Sequence, residues 1–168
     1  TVNASSHVTV TKTPDKLTYH YGETVQLLAT ADPGWTFNSW GGDGGGSNVN
    51  PLNLTITGNM NVDANFDPPI QRFHVQLTPN NVVGFDWTLD DEITMTIDEA
   101  STGPGVDITR QAIVQVAEWD PNSTVVYFND VGGIDLEAGD IVTMTDGTIV
   151  KTHVVTILTL TSVDPDAD

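Results

Sequence analysis

Consecutive carboxylates are the residues of this chain best suited to bind an ion. Asp90-Asp91-Glu92 forms one cluster, and Asp164-Pro165-Asp166-Ala167-Asp168 forms a second. Calcium prefers oxygen ligands of this kind, so Asp90, Asp91 and Glu92 are candidate calcium ligands, and calcium is the one cofactor that the sequence leaves open. The terminal run lacks the glycine and the later glutamate of an EF-hand loop. The alternative interpretation is that the carboxylates of both clusters lie in turns and are simply solvated.

Tryptophan side chains could bind a different class of ligand, because the CH groups of a sugar ring stack on an exposed aromatic face. The chain has four of them, at Trp35, Trp40, Trp87 and Trp119. Trp87 and Trp119 each lie beside an aspartate near a predicted turn, where one of them could be exposed. These two are the candidates for stacking on a glycan.

Signatures of catalysis are missing from the sequence, which therefore predicts that the protein is not an enzyme. None of the four histidines, His7, His20, His74 and His153, has a second ligand at metal-site spacing. No carboxylate pair is marked by its spacing as a glycosidase dyad. The glycine-rich segment 41–46 contains no lysine and precedes no helix, unlike a phosphate-binding loop, and no serine nucleophile motif is present.

Three sequons could accept an N-linked glycan, provided that the source has the machinery, which most bacteria lack. They begin at Asn3, Asn53 and Asn122. Asn122 follows Pro121 in a predicted turn and is the best placed of the three.

The charge of the chain excludes several classes of partner. It has 23 acidic and five basic residues, a formal net charge of −18, and no cysteine. Phosphate contacts require lysine and arginine, so nucleic acid is a poor partner, and an anionic lipid surface is equally unsuitable. No apolar run is long enough to cross a membrane. Cations and neutral surfaces remain.

The hydrophobic pattern predicts β-structure throughout, since apolar and polar residues alternate and turn residues recur at short intervals. Val25, Leu27 and Ala29 share one face of a predicted strand. Asp146-Gly147 between two strand-like runs predicts a hairpin with positive φ at both turn positions. Further strands are expected at 7–12, 35–37, 52–56, 62–66, 72–78, 93–97, 108–117 and 124–128, with a loop at 41–48.

The final strand-like run, 148–163, contains 16 residues without glycine or proline. At about 3.3 Å per residue it would span roughly 50 Å, well beyond an ordinary strand. It is therefore expected to bend, to switch sheets, or to extend beyond its own domain.

Two modules are predicted, at residues 1–67 and 71–168, joined by a stiff proline-rich linker at 68–70. Residues 1–68 carry six acidic side chains and two lysines, whereas the remainder carries 17 acidic and three basic residues. Such an uneven distribution of charge supports a boundary near residue 68.

The first module resembles the divergent B-repeat family of bacterial surface proteins, the type named after listerial internalin B. The matching positions are Tyr21-Gly22-Glu23-Thr24-Val25, Leu27, Ala29, Asp32-Pro33-Gly34-Trp35, Phe37, Trp40, Gly42-Asp43, Val62, Ala64 and Phe66. The resemblance implies a compact β-grasp-like module of an extracellular protein, with Trp35 and Trp40 in its core and no catalytic residues. This chain departs from the family in having one copy and an expanded Gly44-Gly45-Gly46 loop.

The expected fold class is therefore all-β, a small β-grasp-like B-repeat module followed by an antiparallel β-sandwich. The second half is similar only to segments of large secreted bacterial proteins, from which no activity follows.

The function expected first is that of a secreted or cell-surface structural protein without catalytic activity, a subunit of a filament or layer. Its partners would be copies of itself, joined by strand addition that pairs exposed edge hydrogen bonds. The donated segment would be Val8-Thr9-Val10 or the run 152–163. An adhesin or carbohydrate-binding module is the alternative, with a glycan as the partner, and a glycoside-active enzyme ranks last.

Overall fold

The computed structural model describes residues 1–4 and 7–156 of the 168-residue chain. The all-β fold class is confirmed, because the described residues form fourteen strands in four sheets and no helix. Accordingly, no helix in the described ranges is long and apolar enough to cross a membrane. The strands are β1 (Val2–Asn3), β2 (Val8–Thr13), β3 (Thr24–Ala31), β4 (Thr36–Gly42), β5 (Leu52–Thr55), β6 (Val62–Asp67), β7 (Arg72–Leu77), β8 (Asn80–Phe85), β9 (Glu92–Asp98), β10 (Ile108–Ile113), β11 (Gln115–Ala117), β12 (Asp120–Phe128), β13 (Ile141–Thr145) and β14 (Val150–Val154).

The chain divides into two compact units. Unit 1 comprises Thr1–Ile70, Asp86–Leu89 and Gln115–Thr124, and unit 2 comprises Gln71–Phe85, Asp90–Val114 and Val125–Asp168. The longest segment of unit 1 thus ends at the predicted linker, while two later segments belong to the same unit. The division into two separately folded domains stays a prediction.

Unit 1 contains two three-stranded sheets, ordered β2-β3-β5 and β1-β6-β4. The alternation in β3 places Val25, Leu27 and Ala29 on one buried face, as the sequence pattern predicted. These side chains pack against buried residues of the other sheet, including the fully buried Trp40. The unit is therefore a two-layer structure in which each sheet contributes one apolar face to the core.

Only one of the two tryptophans that the family resemblance places in this core is found there. Trp40 is fully buried in the core, whereas Trp35 is half-buried and stacks on the ring of His7. A register shift in the pairing of β4 with β6 lies between Phe37 and Ser39. Such an irregularity breaks the period-two alternation along β4.

The glycine-rich segment after Trp40 is more ordered than the sequence pattern predicted. Strand β4 continues through Gly42, so the expectation of a loop from residue 41 is wrong for its first two residues. The chain then reverses, because the backbone N–H of Trp40 donates to Ser47 and that of Gly46 donates to Trp40. A side chain at Gly44 would meet the Cβ atom of Trp40 at 2.6 Å, which explains the need for glycine there.

Unit 2 contains a four-stranded antiparallel sheet of order β10-β9-β13-β14. In its other sheet, the later part of β12 pairs with β8, which pairs with β7. Both sheets bury apolar side chains, and the Phe73 ring of β7 lies edge-on to the His153 ring of β14, with 6.3 Å between centroids. This arrangement agrees with the predicted antiparallel sandwich.

The predicted Asp-Gly hairpin exists between β13 and β14, but with a different turn. Thr145 pairs with Val150, so the connection has four residues rather than two. Only Gly147 of the dipeptide has a positive φ, at 92°. The Oδ1 atom of Asp146 accepts hydrogen bonds from the backbone N–H groups of Thr148 and Ile149 instead. The aspartate side chain therefore stabilises the wider turn.

The predicted long strand is interrupted within the described residues. Strand β14 ends at Val154, and the backbone of Val155 then donates to the carbonyl of Asp140 and accepts from the N–H of Gly139. The Val155 side chain is buried. Residues 157–163 of the predicted strand lie outside the described residues. The predicted strand at 108–117 is also divided, into β10 and β11, at the buried Val114.

Candidate interaction surfaces

Edge strands carry most of the positive charge of this chain. Strands β2, β7, β10 and β14 are each paired on one side only in the described sheets. Each carries one basic residue, and the described central strands carry none; the four residues are Lys12, Arg72, Arg110 and Lys151. Lys16, the fifth basic residue, lies in the loop after β2. Four of the five cations therefore stand beside rows of edge backbone groups.

Strand β14 is the most exposed of these edges. Val150 and Val154 are 63% and 50% exposed, and the chain continues beyond Thr156 into the apolar run 157–163, which lies outside the described residues. At the other end of the chain, Val8-Thr9-Val10 lies in β2 and pairs with β3 of its own unit. Residues 152–154 of the later predicted donor also pair within their own sheet, with β13. Donating either of these paired segments to a neighbour would therefore open an existing sheet.

The two tryptophans predicted to stack on glycans differ in exposure. Trp87 is completely buried, and its carbonyl accepts a 2.6 Å hydrogen bond from the Thr124 hydroxyl. A ring without exposed surface cannot stack on a sugar, so the structure corrects the prediction for Trp87. Trp119 is 60% exposed in the turn between β11 and β12.

The turn that presents Trp119 is fixed by the residue after it. The Asp120 carboxylate accepts hydrogen bonds from the backbone N–H of Asn122 at 3.0 Å and from the Ser123 hydroxyl at 2.7 Å. The first of these bonds, followed by the second, lowers the pKa of Asp120 below its ordinary range. The carboxylate therefore stays ionised and holds the turn in mildly acidic solution.

The predicted calcium ligands follow one another through a turn into β9. Asp90 has a positive φ of 68°, and its backbone N–H donates to the carbonyl of Val114. Within residues 1–4 and 7–156, no three histidine or acidic side chains converge as they would around a metal ion. Calcium binding by Asp90, Asp91 and Glu92 stays a prediction, and the terminal acidic run at 164–168 lies outside the described residues.

The three sequon asparagines are exposed but differ in their contacts. The Asn3 amide donates to Asp63 at 2.7 Å, and Ser5 of its sequon lies outside the described residues. The Asn53 amide oxygen accepts from Gln26, and Asn122 lies in β12 rather than in the predicted turn. Their glycosylation stays a prediction.

A further group of acidic residues, which the sequence pattern did not indicate, lies in unit 2. The Asp140 carboxylate is buried and accepts hydrogen bonds from the backbone N–H groups of Ala100 and Glu137. Nearby, partial desolvation raises the pKa of Glu99, and the negative charges of Asp107, Asp140 and Glu137 raise it further. Asp140 therefore joins two loops, while Glu99 resists ionisation.

A cavity of about 740 Å³ lies in unit 1 and is lined by residues of both of its sheets. Its walls include Val25, Leu27 and Leu54 from one sheet and Val2 and Val62 from the other. The cavity therefore reaches β1 and β3, and its rim reaches Lys12 of β2. Because β1 and β2 are the outer strands of their sheets, the cavity adjoins two open edges.

Part of the rim of this cavity is formed by residues 16–19 of the loop 14–23, which is called the rim loop below, and residues 58–61 also line the cavity. Tyr19 orders the loop, since its hydroxyl donates to the Pro14 carbonyl at 2.6 Å. Leu17 also lines the cavity and is fully exposed. Lys16 forms a 2.8 Å ion pair with Glu23, and this hydrogen bond, followed by one from the His20 N–H, lowers the pKa of Glu23.

Both lysines of unit 1 line the cavity, Lys12 from β2 and Lys16 from the rim loop. Lys12 forms a 2.9 Å ion pair with Asp15. The rim is therefore nearly neutral in a unit that is otherwise acidic. The sequence could not predict this grouping, because residues near 16 and near 60 meet only in the folded unit. The local pattern offered only an apolar residue, Leu17, beside a scarce lysine in a polar loop.

The first part of the chain matches a known protein family. No curated protein and no solved structure matches the chain. Residues 1–69 match the family model of the divergent InlB B-repeat domain, which confirms the resemblance seen in the sequence and indicates a module of a bacterial surface protein.

Proposed function

We propose that the chain is a non-catalytic structural module of a bacterial surface protein and associates with neighbouring subunits by β-strand addition. The observation that carries the proposal is the placement of Lys12, Arg72, Arg110 and Lys151 on four different edge strands. In a chain with 23 acidic residues, this placement concentrates the scarce positive charge where a further strand would add.

The charges make these edges selective. Two copies of the same edge would bring like charges together, which opposes pairing between identical edges. An acidic strand would instead be attracted, and its backbone would satisfy the exposed N–H and C=O groups of the edge. The favoured assembly is therefore one in which an acidic segment of one subunit adds to a basic edge of another.

Light scattering across protein concentration and ionic strength tests this proposal. We expect assemblies that grow with concentration and weaken with salt, because exposed ion pairs are screened. Lys151→Glu should weaken assembly through the β14 edge, whereas Thr148→Glu, in the adjacent exposed turn, should have a smaller effect. Monomers under all conditions, including low salt and high concentration, would overturn the proposal.

Glycan binding is a second candidate, favoured by the 60% exposure of Trp119. A sugar ring could stack on this exposed indole. A glycan panel should quench or shift tryptophan emission in the wild type but not in Trp119→Ala. Tyr21→Ala, which removes another exposed aromatic ring, is the matched control.

A further inference from the structure

We propose that the cavity of unit 1 is the acceptor site for residues 157–168 of a second copy of this chain. This inference rests on the proposed function and names the two surfaces that would join. The donor segment would add beside β1 or β2, place its apolar side chains in the cavity, and bring its carboxylates to the rim.

The donor and the cavity match in apolar character. The segment contains Ile157, Leu158, Leu160 and Val163, and an acidic end adjoins them. The cavity is lined by aliphatic side chains of both sheets, and its volume of about 740 Å³ is in the range of occupied binding sites. An added strand fills such a site with alternate side chains, because successive residues of a strand point to opposite faces.

The donor and the rim also match in charge. Asp164, Asp166 and Asp168 follow the apolar part of the donor. The two lysines of the rim, Lys12 and Lys16, are the only basic residues of unit 1, so the rim repels an acidic segment least. Both lysines already have partners in Asp15 and Glu23, and the donor carboxylates would share these ammonium groups rather than find them unpaired.

The rim loop provides exposed apolar surface for the same segment. Leu17 projects fully into solvent at the cavity, where a side chain gains nothing from the core of its own unit. An exposed leucine beside an apolar cavity extends the surface that a partner can cover. Tyr21, on the same loop, is 82% exposed but does not line the cavity, which makes it a matched control.

A synthetic peptide with the sequence of residues 157–168 tests the site when titrated into the full chain at low concentration. We expect saturable binding that weakens with salt and competes with assembly of the chain. Lys16→Glu should weaken peptide binding by about threefold or more at low salt, from the usual strength of exposed ion pairs. Leu17→Ser should also weaken it. Both residues are exposed, so neither change should prevent folding.

Control variants separate this inference from the proposed function. Lys151→Glu and Tyr21→Ser change charge and apolar surface at residues that do not line the cavity, and they should leave peptide affinity unchanged. If the chain assembles but the peptide fails to bind, or binds equally to all four variants, the acceptor lies elsewhere and only this inference falls. If the chain neither assembles nor binds the peptide, both proposals fall.

Discussion

The side-chain amide of Asn50 forms with Ala29 both of the hydrogen bonds that a neighbouring strand would form. Its Nδ2 atom donates to the Ala29 carbonyl at 2.7 Å, and its Oδ1 atom accepts from the Ala29 N–H at 3.0 Å. Strand β5 pairs with β3 only as far as Leu27. Asn50 therefore closes the edge of β3 where β5 no longer covers it.

Removing this amide should destabilise unit 1. Asn50→Ala would leave two backbone groups of Ala29 without their partners, and we expect a loss of about 1–2 kcal/mol in the free energy of unfolding. Asn53→Ala is the control, since the exposed Asn53 amide accepts a hydrogen bond from the Gln26 side chain and makes no other side-chain hydrogen bond within the described part of the chain. Urea denaturation should show a clearly larger loss for Asn50→Ala, and equal losses would contradict this role.

Trp35 and Trp40 should respond differently to replacement by phenylalanine. The Nε1 atom of Trp40 donates to the Val49 carbonyl at 3.0 Å, whereas the buried Nε1 of Trp35 has no hydrogen-bond partner in the described structure. Trp40→Phe should therefore cost about 2–4 kcal/mol, through lost packing and a lost hydrogen bond. Trp35→Phe removes an unsatisfied donor and should cost less than about 1 kcal/mol.

The stacking of Trp35 on His7 should survive that exchange. Their ring centroids are 4.9 Å apart and the planes differ by 11°, a geometry that a phenyl ring can also adopt. Chemical denaturation of both variants measures the difference, and a Trp35→Phe loss as large as that of Trp40→Phe would contradict it.

The stability contributed by Glu23 should disappear in acid. Its pKa is lowered by the Lys16 hydrogen bond and then by the His20 N–H, so its ionised form favours the folded state. This contribution is present above about pH 4.3, where a free glutamate ionises, and is lost as the pH falls through the lowered pKa. Glu23→Gln should therefore reduce the melting temperature at neutral pH, with a difference that vanishes at low pH.

The contribution of Glu99 to stability should depend on pH in the opposite direction. Its raised pKa, caused first by desolvation and then by neighbouring carboxylates, means that the folded state binds this proton more tightly than the unfolded state. The wild type therefore loses stability as the pH rises from about 4.3 through the raised pKa. Glu99→Gln should melt at a higher temperature than the wild type at neutral pH. A lower melting temperature there would show that the Glu99 carboxylate is stabilising.

Replacing Gly44 or Gly45, in the turn after β4, by alanine should destabilise the protein for a different physical reason at each position. An alanine at Gly44 would place its Cβ 2.6 Å from that of Trp40 and 2.9 Å from the Gly41 carbonyl, so the tryptophan must shift. Gly45 has open space but a φ of +68°, which costs a side chain about 1–2 kcal/mol. Near-UV circular dichroism should change for Gly44→Ala and not for Gly45→Ala, although both variants should be destabilised.

Local sequence patterns predicted where the strands lie better than they predicted which strands pair with one another. Alternation along β3 identified Val25, Leu27 and Ala29 as core residues, because one face of a half-buried strand follows directly from the sequence. The same reasoning could not show that β2 and β14 are edges, since pairing joins residues distant in sequence. Trp87 illustrates the limit, because an adjacent aspartate gives no information about which residues cover the indole.

The cavity of unit 1 could be predicted from the sequence even less well than the pairing of the strands. The cavity is lined by residues near 16, near 25 and near 60, and no spacing rule relates three such segments. Leu17 gave a local signal, as an apolar residue in a polar loop, but its full exposure depends on how Tyr19 and Pro14 shape the rim loop.

The backbone hydrogen bonds of Val155 have a mechanical consequence. If a neighbouring subunit bound the chain beyond Thr156, a pulling force would reach the described part of this subunit near Val155. The backbone of Val155 forms hydrogen bonds with Gly139 and Asp140, and its side chain is buried. These ties must rupture before pulling can peel β14 away from β13. The contacts of Val155 would thus protect the pairing of β14 with β13 from a force applied to the chain beyond Thr156.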